Sequence, residues 1–139
     1  MSRKKARDLA FKLIFEVPFF ENRFKDRIDN FYDINKEGSV SGNDFKYIET
    51  AVSLCFENAE SIDSILSDNL KNWTLERIPN VAKAILRLAV CEMMYIDDVP
   101  YQVAINEAIE LAKTYGDDDA PSFINGVLAS VVKSEKIEG

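Results

Sequence analysis

The chain has 139 residues, of which 47% are hydrophobic and 29% are charged, and its formal net charge is −7. This length fits one domain, spanning residues 1–139, that buries about 68% of its unfolded surface. The acidic balance excludes a protein whose whole surface attracts nucleic acid. No apolar run approaches the ~20 residues of a membrane span, which excludes an integral membrane protein.

An amphipathic helix is predicted at the start of the chain and ends or kinks near Pro18. Its core stripe has helical spacing and comprises Ala6, Leu9, Ala10, Leu13, Ile14 and Val17. Asp8 and Lys12 interrupt the apolar positions, a pattern that differs from a secretory signal peptide. We therefore expect a cytoplasmic protein.

Four cations, Arg3, Lys4, Lys5 and Arg7, cluster at the beginning of this helix, opposed nearby only by Asp8. Screening beyond the Debye length of about 8 Å hides most of the distant carboxylates, so the cluster can hold phosphates. The residues alone leave open a second interpretation, a frayed and solvated helix start. If each cation neutralises one phosphate of a single strand, the log-log salt slope of binding is about −3.

The middle of the chain is also predicted to be helical. A weaker helix is expected at 22–32, a surface loop at 33–43, and two further helices, one marked by Phe45 to Phe56 and one restarting at Ser61. Trp73 and Leu75 are expected to cover the connection that follows. Cys55 and Cys91 fall within helical patterns without a nearby histidine or cysteine, which favours reduced packing residues over a disulfide or metal site.

The longest apolar pattern covers 79–95 and contains one acidic residue on its apolar side, Glu92, about 20° from Val81 on a helical wheel. A buried carboxylate must be paired, hydrogen-bonded or protonated. Glu92 is therefore either a general acid or base, or a structural anchor for a helix N-terminus or for Arg7. The chain contains no histidine and no recognisable nucleophile with its base, which favours the anchor.

The next predicted helix covers 101–115, and its apolar residues fill one arc of roughly 160° from which only Val103 strays. Pro100 is expected to open this helix and Gly116 to close it, the glycine through its tolerance of a left-handed conformation.

A last helix is predicted from near Pro121. Its stripe includes Ile124, Val127, Leu128 and Val131, and Asn125-Gly126 lies within the periodic pattern, so a hairpin turn is not expected there. Gly126 costs about 1 kcal/mol against alanine, and we expect it to allow close packing. Seven helices without strand alternation predict an all-α bundle.

The acidic run Asp117 to Asp119 precedes this last helix. Consecutive carboxylates rarely converge on one cation, so we favour capping of the helix N-terminus and interaction with its dipole over a metal site.

The segment VAINEAIELAK, the Tyr-Gly that follows, the acidic loop and FINGVL together resemble the C-terminal signature of the NusB family of bacterial transcription antitermination factors. The resemblance extends to AKAILRLAVCEMMY and to the basic first helix, whereas residues from about 18 to 75 match mainly in helical character. It implies two helical subdomains that share one core, with the first helix between them.

The resemblance also implies binding to single-stranded boxA-like RNA of nascent ribosomal RNA transcripts. The Arg-rich N-terminus of such proteins corresponds here to Arg3, Lys4, Lys5 and Arg7, two of them lysines with a weaker bidentate grip on phosphate. By position Asp119 and Phe123 join the RNA surface. Phe123 is either a core residue or, if exposed, a stacking platform for an unpaired base.

NusB-like proteins pair with the ribosomal protein NusE and act in an antitermination complex with RNA polymerase. By resemblance the partner surface here involves Phe15, Glu76 and Ala82. Phe15 lies away from the core stripe, so it is either exposed for a partner or in contact with an adjacent helix or with Phe19 and Phe20. Some relatives carry a charged residue at the position of Ala82.

The expected protein is a non-catalytic antitermination factor without a cofactor, metal or membrane association. An alternative is a NusB-like protein-interaction module without a direct RNA role, as in the N-terminal part of certain RNA methyltransferases. A Rossmann-like half would follow such a module, whereas this sequence ends at Gly139. An enzyme built on Glu92 would need a pocket with converging polar groups. The sequence leaves open whether the protein is a monomer or a homodimer.

Overall fold

A computed structural model describes residues 3–16 and 42–138 of the chain. These ranges contain six α-helices and no strand: α1 (Arg3–Glu16), α2 (Gly42–Glu57), α3 (Ala59–Asp68), α4 (Asn80–Tyr95), α5 (Tyr101–Tyr115) and α6 (Ala120–Ser134). The predicted all-α bundle is confirmed. The helix expected at 22–32 lies outside the described residues, as does most of the loop expected at 33–43.

Prolines set the starts of the central helices. Pro79 has φ −57° and ψ 145°, Pro100 has φ −60° and ψ 146°, and α4 and α5 begin at the next residue in each case. A proline also disfavours helical geometry at the residue before it, which separates each helix from the preceding segment. Both starts agree with the sequence prediction, and α6 begins one residue ahead of Pro121.

Helix α4 forms the centre of the fold. It contacts all five of the other described helices, and most of its side chains are buried. Asn80, Lys83 and Arg87, at a spacing of three and four residues, form its one polar side, and Glu92 is the only charged residue among its buried side chains. Its buried apolar residues are Ala82, Ala84, Ile85, Leu86, Leu88, Ala89, Val90, Cys91 and Met93.

Helix α1 packs against α2 and α4 through Ala6, Ala10, Phe11, Leu13 and Ile14. Small residues at positions 6 and 10 bring the backbones of neighbouring helices close together, and both alanines are fully buried. This packing fixes which side of α1 faces outward.

Polar contacts connect α3 to two other helices. Arg87 on α4 donates two hydrogen bonds to the Asp63 carboxylate, at 2.9 and 3.0 Å. The Ser130 and Ser134 hydroxyls on α6 donate to Oδ1 of the buried Asn69, at 2.7 and 3.2 Å. Charged and buried hydrogen bonds of this kind fix the register of packed helices.

Gly116 and Gly126 are glycines for reasons other than those predicted from the sequence. Gly116 ends α5 with φ −94° and ψ 178°, which is extended rather than left-handed. A Cβ there would lie 2.6 Å from Ala120 Cβ and 2.9 Å from the Ala112 carbonyl oxygen, so a close approach, and not an unusual φ, calls for glycine. Gly126 is exposed and has open space around its would-be Cβ, so close packing does not explain it.

Both cysteines are buried and free, as expected for packing residues. The Cys91 thiol contacts the Ala51 carbonyl oxygen at 3.6 Å, and burial raises the pKa of the Cys55 thiol. None of the described helices is both long enough and apolar enough to span a membrane.

Candidate nucleic-acid interface

Three exposed cations form the first turn of α1: Arg3, Lys4 and Lys5. The side chains of Arg3 and Lys4 are 42% and 67% exposed. The positive end of a helix dipole favours acidic residues in this turn, yet the chain places three basic ones there. Cationic side chains and free backbone N–H groups at one helix end together form a surface that attracts anions.

Nearby carboxylates only partly neutralise this surface. Arg3 Nε lies 3.7 Å from Asp44 Oδ1, and Lys4 Nζ lies 3.8 Å from Glu110 Oε1. Both are long ion pairs with at least one well-exposed partner, a type that contributes about 0–1 kcal/mol. A phosphate can therefore replace either carboxylate at small cost.

Arg7 is not part of the exposed group. It is 5% exposed, and its Nε lies 3.0 and 2.9 Å from the two carboxylate oxygens of Glu92. A second carboxylate, Glu107, lies 3.9 Å from Nη1. The expectation that Arg7 shares a phosphate-binding surface with Arg3, Lys4 and Lys5 does not fit this placement, because its guanidinium faces the core and is already paired.

Glu92 is an anchor for α1, as the sequence favoured. Besides the bonds from Arg7, it accepts a hydrogen bond of 2.8 Å from the Tyr47 hydroxyl. Burial raises the pKa of Glu92, while the positive charge of Arg7 and the bonds from Tyr47 and Arg7 oppose that rise. Burial alone would lower the pKa of Arg7, but Glu92 raises it overall, so the guanidinium stays charged. The pair connects α1 to α4, and Tyr47 adds α2.

Asp119 and Phe123 lie elsewhere, on a groove of about 360 Å³ between the α3–α4 connection and the start of α6. Its walls also include Trp73, Arg77 and Ala82. Phe123 is half-buried and packs against the core, while the rest of its side chain remains accessible. Glu92, the α4 residue that binds Arg7, lies ten residues along that helix from Ala82 in the groove, a distance of about 15 Å at 1.5 Å per residue.

The acidic loop caps α6 differently from expectation. Asp119 occupies the N-cap position, but its side chain makes no capping hydrogen bond. Instead Oδ1 of Asp117 accepts a bond of 3.1 Å from the Asp119 backbone N–H. Within residues 3–16 and 42–138, no three acidic, cysteine or histidine side chains gather in a way that could hold a metal ion.

The residues expected at the partner surface have three different environments. Phe15 is 45% exposed, as one of its two interpretations required, and its ring centroid lies 6.1 Å from that of Phe11. Glu76 is exposed, and its carbonyl oxygen accepts a bond of 3.3 Å from Lys83 Nζ. Ala82 is only 4% exposed, because α4 is buried there, so a partner could reach it only at the floor of the groove.

Three large aromatic side chains on separate elements are exposed. Phe15 on α1 neighbours the buried Phe11, whose ring contacts that of Tyr115 at a centroid distance of 5.1 Å, and Tyr115 is 36% exposed and precedes Gly116 on the groove wall. Trp73, which also lines the groove, is 57% exposed. The sequence predicted that Trp73 covers a helix connection and did not predict this exposure, because helical periodicity cannot indicate burial or exposure in a segment that connects two helices.

Comparison with known proteins assigns the fold. The model of the NusB family matches residues 4–133. The chain belongs to the NusB family. Transcription antitermination protein NusB of Alkaliphilus oremlandii is 43% identical over 141 aligned positions, which cover 97% of this chain and 96% of the relative. The Clostridium novyi protein of the same name is 40% identical and covers 96% and 100%.

Solved NusB structures have the same fold. T. maritima NusB superposes with a TM-score of 0.78 at 29% identity, covering 96% of this chain and 92% of that one. A crystal structure of antitermination factors NusB and NusE in complex with dsRNA gives a TM-score of 0.76 at 27% identity, covering 95% and 96%. The resemblance drawn from the C-terminal signature is therefore confirmed over nearly the whole chain, including the segment that matched only in helical character.

Proposed function

We propose that this NusB family member binds boxA-like RNA of nascent ribosomal RNA transcripts together with NusE, as one domain of a cytoplasmic antitermination complex with RNA polymerase. The proposed role is binding without catalysis. The solved complex of relatives with NusE and dsRNA supports RNA and NusE as the partners. The observation that carries the proposal is the exposed basic turn of α1, formed by Arg3, Lys4 and Lys5, on a chain of net charge −7.

This basic turn supplies the electrostatic part of RNA binding. Since Arg7 is buried against Glu92, three cations are exposed at this turn instead of the four that the sequence predicted. Three phosphate contacts on a single strand predict a log-log salt slope of about −2. We assign additional RNA contacts to Asp119 and Phe123, where the half-exposed ring offers a stacking face for an unpaired base.

We assign NusE to the aromatic surface formed by Phe15, Tyr115 and Trp73, with Glu76 at its edge. Exposed aromatic side chains beside a concave groove are typical of protein interfaces. Ala82 contributes only at the floor of the groove.

The test is charge reversal of Arg3, Lys4 and Lys5 to glutamate. RNA affinity is measured by titration with boxA-containing single-stranded and double-stranded RNA, with and without NusE, and gel filtration monitors assembly. The matched control reverses Lys71, Lys133 and Lys136, which are exposed and lie on other elements. Both variants carry the same net charge, so a difference between them reports location and not total charge.

We expect the basic-turn variant to lose RNA affinity and salt dependence, while it still forms a complex with NusE. The control variant should lose much less affinity. Equal RNA affinity of the parent protein and the basic-turn variant would contradict the proposal. NusE binding by a parent protein that binds neither RNA would favour the alternative of a protein-interaction module without a direct RNA role.

A further inference from the structure

Tyr47 links the exposed basic turn to the buried ion pair beneath it. It lies on α2, and only 6% of it is exposed. The Arg3 guanidinium carbon lies 4.4 Å from the centre of the Tyr47 ring, and that of Arg7 lies 5.8 Å from it. Both distances fall within the range of a cation–π contact.

The other end of Tyr47 fixes the direction of the ring. Its hydroxyl donates a hydrogen bond of 2.8 Å to Glu92 Oε1, the carboxylate that also binds Arg7. Burial raises the pKa of Tyr47 far above its ordinary value, so the phenol stays protonated and remains a donor. The ring is thus held at one edge by the core, while one of its faces supports Arg3.

Arg3 therefore has an unusual setting for an exposed cation. Its side chain is 42% exposed, yet the Tyr47 ring contacts the guanidinium and Asp44 lies 3.7 Å from its Nε. A free arginine side chain loses about 2 kcal/mol of rotamer entropy when it is fixed, and a group fixed before binding avoids much of that loss. A guanidinium over a ring face carries its N–H donors at its edge, so the Nη donors of Arg3 can meet phosphate or base oxygens while Asp44 lies at Nε.

We infer that Tyr47 is a positioning residue for RNA binding: its ring holds the Arg3 guanidinium in the direction in which it contacts RNA. This inference rests on the proposed function, because it assigns a task to a residue beneath the proposed RNA surface. Lys4, which has no ring contact among the described residues, serves only as a point charge.

A double-mutant cycle tests the inference. Tyr47→Leu removes the ring, and we expect it to weaken RNA binding by about two- to fivefold, the range of an exposed cation–π contact. The same change in an Arg3→Ala background should have no further effect. Tyr47→Phe keeps the ring and loses the bond to Glu92, so it should lower the melting temperature while RNA affinity per folded molecule stays within twofold.

Tyr95→Leu is the matched control. Tyr95 is a half-buried tyrosine on α4 whose hydroxyl bonds Ser61 at 3.0 Å, and it has no contact with Arg3 among the described residues. This variant should lose stability without losing RNA affinity. Arg3→Lys should bind RNA more weakly than the parent and respond little to Tyr47→Leu, because an ammonium stacks less well than a planar guanidinium.

An NMR measurement on the parent protein tests the inference without the double-mutant cycle, in case Tyr47→Leu fails to fold. The Arg3 Hδ and Hε NMR signals should be shifted upfield by the ring current of Tyr47, and the shift should persist when RNA is added. Loss of that shift on binding would overturn the inference, as would independent, multiplying effects in the cycle. If Arg3→Ala leaves RNA affinity unchanged, the inference fails, whereas the proposed function fails only if the triple charge reversal also leaves that affinity unchanged.

Discussion

Replacing Gly116 by alanine should destabilise the protein, although glycine-to-alanine substitutions at unstrained positions usually stabilise a protein. The added Cβ would meet Ala120 Cβ at 2.6 Å and the Ala112 carbonyl oxygen at 2.9 Å. Overpacking of this kind costs about 1–3 kcal/mol. Restricting the unfolded chain returns about 0.4–1 kcal/mol. We therefore expect a net loss of about 1–2 kcal/mol, or a melting temperature lower by about 3–7 °C for a chain of this length.

Gly126 provides the internal control, because the same substitution should have the opposite sign there. Its would-be Cβ meets nothing within 4 Å, and it lies in the interior of α6 on an exposed face. Gly126→Ala should stabilise the protein by about 0.5–1 kcal/mol through helix propensity. Urea denaturation, with the midpoint and slope fitted for each variant, measures both changes.

A third variant separates the two explanations for Gly116. Asparagine tolerates a left-handed φ, so Gly116→Asn would be well tolerated if the residue were a left-handed cap. The observed φ of −94° predicts that asparagine is at least as damaging as alanine, since it too has a Cβ. If Gly116→Ala raised the urea midpoint as Gly126→Ala does, the close-approach argument would be refuted.

Two further predictions concern polar pairs on α1. Glu92→Gln removes the nearer of the two carboxylates of the buried Arg7 and leaves only Glu107 at 3.9 Å, so it should cost about 3–5 kcal/mol by urea denaturation. RNA affinity per folded molecule should stay unchanged, since the glutamine oxygen can still accept the Tyr47 bond, and a selective loss of binding at full stability would disprove the anchor role. Partial burial would raise the pKa of Asp8, but bonds from Tyr115 and Lys12 lower it overall below its ordinary value. This stabilisation is present above the unfolded pKa of about 3.9 and is lost as the pH falls through the folded value. Tyr115→Phe should raise the Asp8 pKa in a carboxyl NMR titration and reduce stability at pH 7 more than at pH 2.

The sequence predicted the helices well wherever one face repeats with helical spacing. Helix α5 shows this best. Ala104, Ala108 and Ala112, which lie on the predicted apolar arc, are buried. Val103, the one apolar residue predicted to lie off that arc, is 39% exposed. Proline starts at Pro79 and Pro100 also follow from local chemistry alone. These features depend on residues near each other in the chain, which is why a pattern can predict them.

Tertiary contacts account for what the pattern missed. The sequence identified Glu92 as a buried carboxylate, but only the packing of α1 on α4 shows that Arg7 is its partner and is thereby removed from the basic turn. The sequence also did not predict the role of Tyr47, because helical spacing can place an aromatic residue in the core but cannot show that its ring contacts Arg3. The reason for Gly116 lies in the approach of α6, which no local rule specifies.

The central position of α4 has a consequence for genetics. Since this helix touches every other described helix, a lesion that loosens it, such as a larger residue at Ala84, disturbs the supports of the basic turn and of the aromatic surface together. Conditional alleles in α4 should therefore abolish the proposed RNA binding and the proposed NusE binding together at the restrictive temperature. Alleles that affect only one of these two binding functions should map to the outward face of α1 or to the segment around Trp73.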